Sequence, residues 1–306
     1  MWEVPTWRET EVWIPVTIAA ACFQTARTAM QQRLRALLSV SGAGFVRYLY
    51  GAPLAIVAVV VVAIVEGLPT PPSRFWPIIA GGGLAQIVGT IFMIRAFDAR
   101  DFAIGTVYTK TEVVQVAIFS LVILGEPLRP LGWMATIVCF AGVVVLAGGR
   151  PVMHVRDRAV LFGVAAGGAF ALASVGIRAA SLSLLDGQDG DGHVIARALL
   201  TLAVMNTMQI VMHGGYLAVR ERNQLRLAVV HWRSSSIVGV LSVGGSACWA
   251  LAFTLENAAR VRTFGQVELL ITFAVAHWFL GERHGRREYV ASALVLAGVI
   301  GVMAGG

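Results

Sequence analysis

Ten apolar stretches follow one another along the chain, separated by short polar connections. The first five fall near residues 12 to 30, 44 to 65, 75 to 94, 103 to 123 and 131 to 148. The second five fall near 158 to 180, 194 to 219, 235 to 255, 262 to 280 and 288 to 304. A bilayer core takes roughly 17 to 25 helical residues to cross. The pattern therefore predicts an all-α polytopic membrane protein of ten transmembrane helices. Composition agrees, with 57% hydrophobic residues, 13% charged residues and a mean hydropathy of +0.75, far from the mix of a soluble domain.

The pattern also repeats. Residues 96–149 align without a gap to 252–305 at an offset of 156, pairing Glu112 with Glu268, Leu124-Gly125-Glu126 with Leu280-Gly281-Glu282, and Ala141-Gly142-Val143 with Ala297-Gly298-Val299. The shared residues include carboxylates, which a generic membrane helix lacks. The chain thus reads as two five-helix repeats, 1–150 and 151–306. With an odd number of spans in each, the second repeat enters the membrane from the opposite side, as inverted repeats of transporters do. Charge follows suit: Arg33 and Arg35 in the first connection face Asp186, Asp189 and Asp191 in its counterpart.

Net charge is +7, from 23 arginines and the single Lys110 set against 17 acidic residues. Fourteen arginines lie in the odd-numbered connections, and five in the even-numbered ones and the tails. The positive-inside rule then places odd connections in the cytoplasm and both termini outside. This distribution, with no basic stripe on a water-facing helix, excludes nucleic acid as a partner. Cys22, Cys139 and Cys248 fall within spans and carry neither disulfide nor zinc spacing. The acidic residues before Cys22 make the first segment an uncleaved span rather than a signal peptide. Asp186–Gly192 departs from the EF-hand pattern and reads as a solvated turn, His213 and His277 form no metal cluster, and no Walker loop occurs. No metal, cofactor or ATP-driven step is expected.

A charged side chain at the bilayer centre costs about 2.5 to 3.5 kcal/mol on insertion scales, so it normally faces a partner or a wet cavity. Glu112 and Glu268, each inside a span, are the leading candidates for binding substrate or a proton. Tyr108 and Gln115 share the helix face of Glu112, and Phe264 and Thr272 that of Glu268. Lys110 stands about 200° from Glu112 around the helix, which points the two charges at different neighbours and counts against an acid/base pair. Arg27, Arg47, Arg178 and Arg197 lie nearer helix ends, where snorkelling is the default, with Arg47 and Arg197 held as gate or anion contacts. Glu126 and Glu282 are expected to satisfy free N–H groups at the start of the next helix. Gly163 with Gly167, and Gly301 with Gly305, have the spacing of close helix contacts.

The Leu-Gly-Glu steps, each followed by an apolar span through Ala-Gly-Val, together with Arg47 and Arg197 near the start of each second span, resemble the EamA repeat of the drug/metabolite transporter superfamily. The resemblance covers nearly the whole chain. It implies an inverted-repeat carrier in a bacterial inner membrane, a monomer or homodimer that moves a small organic solute, often outward. Two glutamates beside one lysine lean toward an amino acid-like solute and leave proton coupling open. A lipid or lipid-linked-carrier flippase is the alternative. A membrane-embedded enzyme fits less well, since no nucleophile, histidine or metal cluster accompanies the glutamates.

Overall fold

The computed structural model describes residues 11–34, 36–99, 108–146, 158–185, 193–271, 273 and 285–305. Thr272, His277, Glu282 and the Asp186–Gly192 turn lie outside them. The described elements are all helical. They are α1 Trp13–Leu34, α2 Val40–Val65, α3 Phe75–Ala99, α4 Glu112–Phe119, α5 Pro130–Leu146, α6 Arg158–Ser183, α7 Val194–Arg220, α8 Arg222–Val230, α9 Trp232–Leu255, α10 Ala258–Phe264 and α11 Arg286–Ala304. Six of these, α2, α3, α6, α7, α9 and α11, are long and apolar enough to cross a bilayer, and α5 is a shorter apolar helix. Helix α1 has the length, at 22 residues, but its second half carries Gln24, Thr28 and Gln31, which line an internal cavity.

The fourth and ninth apolar stretches are not the continuous helices expected. The chain is helical at 108–109, turns at 110–111 and restarts at Glu112, and likewise α10 stops at Phe264, turns at 265–266 and resumes over 267–271. Each break carries the same bond at the repeat offset: Val113 N–H to Lys110 C=O at 3.2 Å, and Leu269 N–H to Gln266 C=O at 2.9 Å. Local chemistry supplies the causes. Thr111 Oγ1 donates to Tyr108 C=O at 2.5 Å, a side-chain bond that competes with the helical ladder. Gly265 occupies the other break, and glycine costs about 1 kcal/mol in a helix interior. Past the first break, α4 runs into a π-helical turn, Ser120–Leu124, closed by Gly125 in the left-handed region at φ 65°, which glycine adopts without a Cβ penalty.

Packing interlocks the two halves. Helix α1 lies along α9 and α3 along α6, while α2 meets α7 and α5 meets α11. The small-residue spacings sit at such contacts, Gly301 and Gly305 against Ala135 and Gly132, and Gly163 against Tyr108. Gly167 matters most for the site. A Cβ there would stand 2.9 Å from both the Glu112 N and the Thr109 O, so only glycine lets the turn before α4 lie flat on α6.

Connections of equal parity meet. Ser39, in the first connection, donates through Oγ to Glu221 Oε2 at 2.5 Å and through N–H to Gln224 Oε1 at 2.8 Å, and these partners open the seventh connection. Glu66 in the second connection lies 3.6 Å from His193 in the sixth. The first and seventh connections thus meet at one end of α2, here the odd face, and the second and sixth at its other end, the even face.

Candidate functional site

A cavity of about 290 Å³ occupies the middle of the bundle, walled by both halves. Its titratable residues are Arg27, Arg47, Lys110, Glu112, Arg262 and Glu268. Toward the odd face it reaches Gln31 and Ala43, each three residues from its helix end. Its apolar wall includes Met93, Phe170, Leu202 and Met205, the mix of apolar surface and few polar groups common in small-molecule sites.

The two repeat glutamates enter this cavity from the broken spans and pair across the repeats. Arg262, from the second half, places Nη2 2.7 Å from Glu112 Oε1. The angle makes this a charge contact rather than an aligned hydrogen bond. Lys110, from the first half, lies 3.8 Å from Glu268 Oε1. A relay then fixes Glu268: Trp249 Nε1 donates to Gln24 Oε1 at 3.1 Å, and Gln24 Nε2 donates to Glu268 Oε2 at 2.6 Å. Arg262 is held as closely, its guanidinium 4.6 Å from the Trp249 ring centre and its Nε donating to Ser174 Oγ at 3.0 Å. The aromatic face attracts the cation through the ring quadrupole.

Several expectations need correction. Lys110 and Glu112 line the same cavity, because the turn at 110–111 removes the helical phase on which a 200° separation depended. Tyr108, Gln115 and Phe264 do not line it. Tyr108 packs against Gly163, Gln115 Nε2 bonds Thr111 Oγ1 and Val164 C=O, and Phe264 stands edge-on to Trp13. The break before α4 turns Tyr108 away from Glu112, and that after Phe264 does the same for Glu268. Thr272 lies outside the described residues.

The near-end arginines divide. Arg27 and Arg47 line the cavity, while Arg197, 4% exposed, is buried outside it. Arg178 is clamped rather than snorkelling. Its Nε and Nη2 donate to Glu126 Oε2 and Oε1, both at 2.7 Å, and its Nη1 reaches the Phe253 and Glu256 carbonyls at 2.8 and 2.7 Å. This corrects the helix-start role expected of Glu126, whose carboxylate accepts a planar fork instead. Glu282 lies outside the described residues. Arg262 was missed altogether: in sequence it is one more arginine beside a short loop, and only its neighbour Trp249, on another helix, distinguishes it.

Comparison with known proteins agrees with this architecture. The model of the EamA-like transporter family matches residues 12–148 and 193–304. A Sinorhizobium protein, an uncharacterized transporter in the cobO 3′ region, is 34% identical over 76 residues, 25% of this chain. The match spans about half of that relative, 54% of its length. One solved crystal structure superposes with a TM-score of 0.74 at 14% identity, covering 96% of this chain and 98% of the other, a likeness of fold. With both halves matched over most of their length, the chain is a membrane protein that belongs to the EamA-like transporter family.

Proposed function

We propose that this chain is a secondary carrier of a small polar organic solute, built of ten spans as two inverted five-helix repeats and working by alternating access. The observation that carries the reading is the cavity itself, set between the halves with one repeat glutamate from each. The chain's broken spans put non-helical backbone at membrane depth, which is tolerated where it lines a cavity. Arg178 ties α6 to the Phe253 and Glu256 carbonyls and to Glu126 next to the even-face connections, a clamp across that end of the bundle. Charge bias makes the odd face cytoplasmic, and the carrier is read as an exporter in a bacterial inner membrane.

Two measurements test the proposal. Protein reconstituted in sealed vesicles is expected to exchange a radiolabelled solute drawn from amino acids, organic acids and sugar derivatives, with flux at least about tenfold lower in Glu112→Gln and Glu268→Gln, since each loses a charged interaction. Product formed in open detergent solution would point to an enzyme instead, and unchanged pH-dependent flux in both variants would remove proton coupling. Separately, a terminal reporter active only outside the cytoplasm is expected to give signal; signal from a cytoplasm-only reporter reverses the orientation.

A further inference from the structure

Among the described residues, the charges in the cavity do not balance. Each glutamate has a cation at ion-pair distance, Arg262 for Glu112 and Lys110 for Glu268. That leaves Arg27 and Arg47 on the same wall with no carboxylate within ion-pair distance among the described residues. Arg47 is 8% exposed and its guanidinium lies 5.0 Å from the Tyr48 ring centre, a contact that offsets only part of the desolvation of a cation. Arg27 buries its Nε with no hydrogen-bond partner. An ionised group removed from water is costly unless it is paired, so these two cations favour an anion between them.

Their placement makes a single receptor. Gln31 Nε2 donates to Ala43 C=O at 2.7 Å and so joins α1 to α2. Arg27 stands four residues before Gln31, and Arg47 four residues after Ala43, each on the same helix face as its partner in that bond. Both guanidiniums therefore face the cavity one turn deeper than the tie. Guanidinium forks match the oxygens of carboxylate and phosphate groups.

We propose, on the strength of the carrier reading above, that the transported solute is a small organic anion whose carboxylate or phosphate group docks between Arg27 and Arg47. Its organic body then faces the apolar wall at Met93, Leu202 and Met205. An amine gains nothing here, because both cavity carboxylates already face cations.

The test uses purified full-length protein and thermal unfolding with succinate, glycerol 3-phosphate, alanine, glucose, putrescine or sodium chloride. Succinate or glycerol 3-phosphate is expected to stabilise the protein, and which of them does so separates carboxylate from phosphate recognition. Arg27→Gln and Arg47→Gln are expected to weaken that apparent affinity about tenfold or more, with Arg27→Lys and Arg47→Lys intermediate. Without ligand, the Gln variants are expected to melt no lower than wild type, because they remove an unpaired charge; a misfolded variant would melt lower. Stabilisation by putrescine, by glucose or equally by sodium chloride overturns the proposal, as does undiminished anion stabilisation in both Gln variants. Counterflow of labelled succinate or glycerol 3-phosphate in sealed vesicles separates the two readings. Binding without counterflow leaves the anion site standing and removes the carrier; counterflow of a different solute, indifferent to these anions, does the reverse.

Discussion

Arg262→Leu is expected to cost about 3–5 kcal/mol of stability, the range for removing one member of a buried ion pair, and to abolish flux. Glu112 is 7% exposed, so losing its 2.7 Å partner leaves a carboxylate inside the membrane with little water to solvate it. The same change removes the stack on Trp249 and the bond to Ser174, loosening the wall that also positions Gln24 and Glu268. The check is a double-mutant cycle by thermal or denaturant unfolding in detergent. Arg262→Leu with Glu112→Leu is expected to recover much of the lost stability, since a buried pair replaced by apolar groups is often neutral, while flux stays absent. A double variant no more stable than Arg262→Leu alone would show that stacking, rather than charge, dominates.

The second large effect concerns the Arg178 clamp. Glu126→Gln is expected to open the even face. An amide cannot receive both arms of the guanidinium as acceptors, and a hydrogen bond between charged groups contributes about 1.5–3 kcal/mol. If the clamp favours the closed even face by that much, its loss raises the open population by at least about tenfold. With Cys22, Cys139 and Cys248 replaced by Ala, a Ser246→Cys probe in the cavity wall reports access directly. A membrane-impermeant maleimide added at the even face is expected to label it about tenfold faster in Glu126→Gln. A lower melting temperature with unchanged labelling would make the clamp a structural staple and leave closure to other contacts.

Legibility differed from residue to residue. Glu112 and Glu268 stood out because insertion into a membrane is costly for a carboxylate and because a second copy at a constant offset is hard to produce by accident. Their neighbours did not follow from spacing. The stripe of Tyr108, Gln115 and Phe264 assumed an unbroken helical phase, and the turns at 110–111 and 265–266 cancel it. Thr111 and Gly265 were visible signals of those turns, though both residues also occur within ordinary membrane helices. The Leu-Gly-Glu step was recognisable as a motif, yet the destination of Glu126 depended on Arg178, 52 residues away.

By itself the sequence determined the environment, the helical class, the repeat and the two carboxylates, because each rests on local quantities: apolar length against bilayer thickness, loop charge, and residue identity at a fixed offset. Tertiary structure alone decided how the cations are used. Arg27, Arg47, Arg178 and Arg262 look alike along the chain, but two stand in the cavity without carboxylate partners among the described residues, one holds Glu112, and one clamps the opposite end. The physical reason is that a charge in a membrane is governed by what lies within a few ångströms of it. For these arginines those neighbours come from other helices.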